Sequence, residues 1–377
     1  LNVLQVIPAL NDGGAERTTL EVAEALVRAG GFATVASAGG RLDGELAALG
    51  GTLARGPYGS KNPAVILANA DRLAALARMT GAQLIHARSR APAWSALWAA
   101  RRLGLPFVTT YHGFYRAKGP LKRLYNSAMA RGDVVIANSA FTAAHVRAEH
   151  PFASDRIVVI PRGVDLSRFD PAALRPDRRE RLAASWGLEP ADTRPRIMLP
   201  GRISRWKGQD VLIDALADLR RLGIAALGLC VGGADGRDAV PDELKARAAG
   251  AGVDVRFVGS CVDMPAAYSL ADVVVCPSTQ PEPFGRTAVE AQAMGVPVIA
   301  ADHGGARETV APGETGWLTA PGDAQALAAA LQDALAASAD RRAAMAAAAR
   351  ARVVQHFSKE SLQKATLGVY ARLLEAV

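Results

Sequence analysis

The sequence predicts an α/β protein made of two doubly wound parallel sheets in tandem, and three observations carry that expectation. Short apolar runs bounded by turn residues alternate with helix-like stretches along the whole chain. The alternation pauses once, in the loop-rich stretch Arg162–Arg196, and then restarts. The chain has 377 residues, half of them hydrophobic. At roughly 100–200 residues per domain this is room for two cores, and general disorder is excluded.

In the first half, Val3–Ile7, Ala33–Ser37, Leu84–His86, Phe107–Tyr111, Val134–Ala137 and Ile157–Ile160 read as strands. They are largely apolar runs, as a sheet covered on both faces requires. Helical patterns lie between them, as in Glu16–Arg28 and Ala140–Ala148. Ile197–Leu199, Ala226–Val231, Val255–Val258, Val273–Cys276 and Val296–Ala300 form the second set of strands. Ala324–Arg352, rich in alanine but punctuated by charges, reads as surface helix. The expected division is residues 1–165 and 166–359, two Rossmann-like domains, with a terminal helix over about 360–377 packing back on the first. Two facing sheets of this kind place their carboxyl edges, where ligands bind, on either side of one cleft.

The net charge of +8 lies wholly in the first half, where residues 1–165 hold 19 Lys+Arg against 11 Asp+Glu. Between Arg72 and Gly132 there are eleven basic side chains and no carboxylate. Such a stretch is either a solvated face or a surface for an anionic partner. Nucleic-acid signatures are lacking, which favours membrane or glycan. No apolar run approaches the ~20 residues of a spanning helix. Cys230, Cys261 and Cys276 follow no disulfide or metal-ligand spacing and suit a reducing cytoplasm. No secretory leader is read, and Leu1 is taken to follow a removed methionine or a short missing tail.

The informative residues fall on strand-end loops. Asn11-Asp12-Gly13-Gly14-Ala15-Glu16 follows a strand and opens a helix, so Gly14 lets backbone approach a ligand at a helix start. It is not a dinucleotide fingerprint. Gly201-Arg202-Ile203-Ser204-Arg205-Trp206-Lys207-Gly208 follows the first strand of the second domain. The guanidinium of Arg202 and the ammonium of Lys207 in one loop suit a diphosphate. The strongest pattern is Glu282-Pro283-Phe284-Gly285-Arg286-Thr287-Ala288-Val289-Glu290, a loop turning into a helix that runs to Gly295. N–H groups at Arg286 and Thr287 can meet phosphate. Glu290, a turn into the helix, can accept from a ribose diol, and Glu282, on the loop, can reach a sugar hydroxyl.

Taken together, Glu282-x7-Glu290 with Phe284-Gly285, the Arg202…Lys207 loop and Gly13-Gly14 resemble the retaining GT-B glycosyltransferases of the "group 1" family. Ala137-Asn138-Ser139 and Gly304-Gly305-Ala306-Arg307-Glu308 also match, as does Gly163-Val164-Asp165, although Arg162 stands where the family usually has Asn. The resemblance implies sugar transfer from a nucleotide-sugar, a UDP- or GDP-sugar, with retention. Arg202 and Lys207 would hold the diphosphate, Glu290 the ribose and Glu282 the transferred sugar. Phe284 and Gly285 would offer backbone N–H groups, and Gly14 would let the first domain close on the phosphates. His112 matches a family histidine near the reacting sugar.

No Asp-x-Asp pair occurs, so no metal and no cofactor is expected, and the two cations would stabilise the leaving group. With no candidate carboxylate for the opposite face of the sugar, front-side attack is expected over a covalent intermediate. The acceptor is expected on the first domain. There Arg116, Lys118, Lys122 and Arg123, with Arg88 and Arg90, stand among Trp94, Trp98, Tyr111, Phe114, Tyr115 and Tyr125, as if to meet anionic lipid or a lipid-linked glycan. The expected role is cell-envelope glycan synthesis (lipopolysaccharide, glycolipid or exopolysaccharide) in the cytoplasm or at the inner face of the membrane. A nucleotide-sugar epimerase or small-acceptor enzyme of the same fold stays open, as does a nucleic-acid-binding protein using the basic stretch.

Overall fold

A computed structural model describes residues 1–11, 13–115, 117–234 and 240–375. The chain forms two compact units: residues 1–163 with the segment from Lys359 onward, and residues 164–358.

The first unit alternates strands and helices as β1 (Asn2–Val6), α1 (Gly14–Arg28), β2 (Phe32–Ser37), α2 (Asp43–Ala48), β3 (Thr52–Arg55), α3 (Pro63–Thr80), β4 (Leu84–Ala87), α4 (Arg90–Leu103), β5 (Phe107–Tyr111), α5 (Pro120–Ser127), β6 (Val134–Ala137), α6 (Ala140–Glu149) and β7 (Ile157–Val159). The sheet is parallel, in the order β3-β2-β1-β4-β5-β6-β7. Its interior strands are buried on both faces, which is why they read as largely apolar runs, with Gln5, His86, Thr109 and Thr110 as buried polar residues among them. Leu4, Leu84, Ile85, Phe107 and Val108 are fully enclosed. Each such side chain contributes about 1.5–3 kcal/mol of burial. The α3 and α4 helices end on Gly81 and Gly104 in the left-handed conformation, the turn glycine takes without a Cβ penalty.

The second unit begins with α7 (Pro176–Ser185), within the stretch expected to be loop, and continues as β8 (Arg196–Pro200), α8 (Gln209–Arg221), β9 (Leu227–Val231), α9 (Val240–Ala251), β10 (Asp254–Gly259), α10 (Met264–Tyr268), β11 (Val273–Cys276), α11 (Arg286–Ala293), β12 (Val298–Ala301), α12 (Ala306–Thr309), β13 (Gly316–Thr319), α13 (Ala324–Ala336) and α14 (Ala339–His356). Its parallel sheet runs β10-β9-β8-β11-β12-β13. The single helix expected over Ala324–Arg352 is two helices. The chain is extended at Ala337 and Ser338, and the Ser338 hydroxyl caps α14 by accepting from the Arg341 N–H. The face made by Leu327, Ala328, Leu331 and Ala334 is buried, so α13 is a core-covering helix.

The last helix, α15 (Lys359–Glu375), belongs to the first unit. Its Leu362, Val369 and Tyr370 are buried with Leu20, Leu26 and Val108. Gln363 donates to the Glu21 carbonyl and to Glu24, and Lys359 pairs with Glu24. Among the described residues no helix is long and apolar enough to cross a membrane.

Candidate active site

In the second unit, three loops at the carboxyl ends of β8, β11 and β12 converge. The β11 loop is held by the β12 loop, where the Gly305 N–H donates to the Glu282 carbonyl at 2.8 Å. A Cβ on Gly304 would lie 2.5 Å from that same oxygen, so this contact requires glycine. Gly285 then takes φ +91°, and α11 starts at the next residue. The buried Phe284 ring packs edge-on against Phe357 and fixes the loop to the core. The N–H groups of Arg286 and Thr287 fall in the first turn of α11, where no intrahelical acceptor exists.

On this frame Lys207 meets Glu282, Nζ to Oε1 at 2.9 Å, with both side chains about one-seventh exposed. The Ser278 hydroxyl donates to the same Oε1 at 2.5 Å. His303 contacts the Ser278 carbonyl through Nε2 at 2.8 Å, and burial lowers its pKa. Lys207 also lies 4.5 Å from the centre of the Trp206 ring. Arg202 is exposed at the start of the β8 loop, and its carbonyl accepts from Gln209.

Glu290 sits one turn into α11, mostly buried, and accepts from Arg286 Nε at 2.9 Å and from the Tyr268 hydroxyl at 3.0 Å. Burial raises the Tyr268 pKa well above its usual value, and the Glu290 carboxylate adds to the rise. Tyr268 is therefore a neutral donor that orients the carboxylate. Thr287 contacts Cys276 Sγ at 3.4 Å, and burial pushes that thiol up to about 12, so it is inert. Sequence reading missed Ser278, His303 and Tyr268, because nothing in their local pattern signals a partner four to twenty-five residues away.

In the first unit, Gly14 is the first residue of α1, and a Cβ there would overlap the Arg162 guanidinium. Arg162 reaches His112, with Nη2 3.3 Å from Nδ1 and 3.4 Å from the carbonyl oxygen. Burial lowers the His112 pKa well below 6.5, and Arg162 and Arg88 lower it further. The acid-free stretch is not one face. Arg88 is 1% exposed, inside a polar network where His86 Nδ1 meets the Tyr370 hydroxyl at 2.5 Å and His86 Nε2 meets Thr110 Oγ1 at 2.7 Å. Tyr111 is buried, and Arg90 stacks 4.2 Å from the Tyr115 ring centre. Arg72, Arg78, Arg101, Arg102 and Arg131 are exposed elsewhere on the unit, and at α5 and its approach Lys118, Leu121, Lys122, Arg123 and Leu124 face solvent together. Arg116 lies outside the described residues.

Two parallel doubly wound units, with a basic strand-end loop and an acidic loop–helix in the second, are the architecture of GT-B glycosyltransferases. Residues 181–352 match the family described as "Glycosyl transferases group 1", and residues 12–168 match "Glycosyltransferase Family 4". The D-inositol 3-phosphate glycosyltransferase of Xylanimonas cellulosilytica is 38% identical over 306 residues, 73% of this chain and 68% of that protein. The lipopolysaccharide core biosynthesis mannosyltransferase LpsB of Rhizobium meliloti is 35% identical over 65% of this chain and 67% of its own. The crystal structure of a glycosyltransferase from Rickettsia africae ESF-5 superposes with a TM-score of 0.92 at 34% identity, covering 100% of this chain and 99% of that one. HepE of Anabaena, solved in complex with UDP and glucose, gives 0.82 at 26% identity over 98% and 99%. The chain belongs to the group 1 glycosyltransferases.

Proposed function

We propose that this glycosyltransferase moves a hexose from a UDP- or GDP-sugar to an anionic cell-envelope acceptor, with retention and without a metal. The observation that carries the donor side is the Lys207–Glu282 pair, which joins two motifs 75 residues apart at one strand-end site. A cation seated on a carboxylate that also faces the sugar can bear on both halves of a nucleotide-sugar. Arg202, Lys207 and the α11 N-terminus would stabilise the charge that grows on the departing diphosphate. Glu282 and the N–H groups of Phe284 and Gly285 would hold sugar hydroxyls. Glu290, oriented by Tyr268 and Arg286, would take the ribose. His112 would face the reacting sugar. The acceptor hydroxyl would attack from the face the diphosphate leaves, which also preserves the anomeric configuration.

HepE in complex with UDP and glucose supports a UDP-sugar donor. The names of the Xylanimonas and Rhizobium relatives support an acceptor that is phosphorylated or part of lipopolysaccharide core. The exposed cations and leucines of α5 support work against an anionic surface at the inner face of the cytoplasmic membrane. A thermal-shift screen against UDP-, GDP- and ADP-sugars in EDTA tests the donor reading. A ligand at 100 times its Kd adds about 2.7 kcal/mol of stability. No shift with any of them, or a shift only after a divalent cation is added, would overturn it. Transfer of labelled sugar to inositol phosphate or to truncated lipopolysaccharide separates the two acceptor classes.

A further inference from the structure

A second polar feature lies at the carboxyl edge of the first sheet. A recess of about 10 Å³ is lined by Thr18, Arg88, Thr110, His112, Asn138 and Arg162, with Thr366 and three aliphatic residues closing the rest. That volume admits one oxygen atom. No acidic side chain lines it. Three of its polar side chains are already engaged: Thr18 donates to the Gly14 carbonyl, Thr110 bonds His86, and Asn138 bonds Thr142 and the His112 carbonyl. Two buried nitrogens, Arg88 Nη2 and His112 Nε2, have no partner among the described residues.

The protonation of His112 follows from its neighbour. A guanidinium has only donors, so the contact from Arg162 Nη2 makes His112 Nδ1 an acceptor. The depressed pKa keeps the ring neutral, and its one proton is then on Nε2. Both unpartnered nitrogens are therefore donors, and a buried guanidinium N–H left unsatisfied is costly. An oxygen that accepts from both resolves this, and beside Arg88, whose charge is otherwise met among the described residues only by the Glu21 carboxylate outside the recess lining, an anionic oxygen is favoured.

We propose that the recess is an oxyanion site, taking one oxygen of a phosphate between Arg88 Nη2 and His112 Nε2, and that Arg162 is the positioning residue that sets His112 as the donor. The site stands on the geometry of the first unit. Only the origin of the phosphate, from the acceptor or from the donor diphosphate, rests on the transferase reading.

The test is nitrogen NMR of the histidine rings in the full-length protein, titrated with inorganic phosphate. Wild type should show His112 with an acceptor-type Nδ1 and a protonated Nε2, and phosphate should move the Nε2 signal. Arg162→Leu should release the tautomer and weaken phosphate binding at this ring at least tenfold. Arg162→Lys, whose ammonium also only donates, should keep Nε2 protonated and guards against simple misfolding. UDP and a sugar monophosphate are then compared in wild type and in Arg202→Ala/Lys207→Ala. A UDP effect lost in the double variant assigns the oxygen to the donor. A sugar-phosphate effect retained there assigns it to the acceptor. A wild-type His112 protonated on Nδ1, or an Nε2 signal indifferent to all three probes, overturns the proposal. The titration needs no turnover, so failure of the transferase reading would show separately, as absent sugar transfer with phosphate still bound.

Discussion

The ammonium of Lys207 is held 2.9 Å from a carboxylate oxygen of Glu282, and that oxygen also receives the Ser278 hydroxyl. The cation expected to act on the donor phosphates is thus anchored by the acid expected to act on the donor sugar. Losing either partner strands the other in a mostly buried place. Lys207→Ala should lower stability by about 2 kcal/mol as well as weaken nucleotide binding. Adding Glu282→Gln should recover most of the stability and none of the turnover. Additive losses of stability in the double variant would show that the two side chains are not coupled.

The two motif glutamates should separate by what they bind. Glu290→Gln should weaken free nucleoside diphosphate, whereas Glu282→Gln should spare it and reduce turnover of the sugar donor. Tyr268→Phe, which removes one hydrogen bond to Glu290, should act in the same direction as Glu290→Gln at about 1 kcal/mol, several-fold in Kd. Calorimetry with UDP and GDP decides this, and an unchanged Kd in Tyr268→Phe would leave that hydroxyl a merely structural partner.

His86 is fully enclosed and held neutral, chiefly by burial and further by Arg88. The unfolded chain takes up its proton near pH 6.5, while the native state refuses it until far lower. Its contribution to stability is therefore complete above about pH 7 and declines as pH falls below 6.5, by up to about 1.4 kcal/mol per pH unit. Urea midpoints at about pH 7.5 and about pH 5.5 should fall in that order. His86→Asn should reduce the dependence, leaving the part that His112 contributes, and an equal slope in that variant would assign the effect to other groups.

The amphipathic α5 and its approach should carry any attachment to anionic surfaces. Replacing Arg116, Lys118, Lys122 and Arg123 together by Ser should reduce sedimentation with anionic vesicles. Wild-type binding should fall as salt is raised, and donor affinity should stay the same. Wild type that ignores such vesicles at low salt would reduce this face to ordinary solvated charge.

The parallel sheets were legible because buried parallel strands are written as short, largely apolar and β-branched runs; β5, β6 and β11 have the bounds expected from the sequence alone. The β3 and β13 strands were not, since Thr-Leu-Ala-Arg and Gly-Trp-Leu-Thr are short, only partly apolar runs on edge strands. The loop–helix with Glu282 and Glu290 was readable from its turn chemistry, but its partners were not. Lys207 and Tyr268 reach these acids through the fold, over distances that local pattern does not encode, while Ser278 lies in the same loop as Glu282 without a pattern that marks it. Arg88 shows the same limit from the other side: an arginine in a basic run looks like surface, and only the surrounding His86, Thr19 and Tyr370 reveal it as interior.

Tyr370 closes its bond to His86 from the far end of the chain, with Leu362 and Val369 filling the same core. The first unit therefore cannot finish assembling when its own strands leave the ribosome. It must wait while roughly 200 further residues are made, and at roughly 5–20 residues per second that is a delay of roughly 10–40 s. During that interval the groove awaiting α15 is open apolar surface, the period in which a nascent chain most needs chaperone cover. The second unit, whose chain is continuous, bears no such dependence on the terminus.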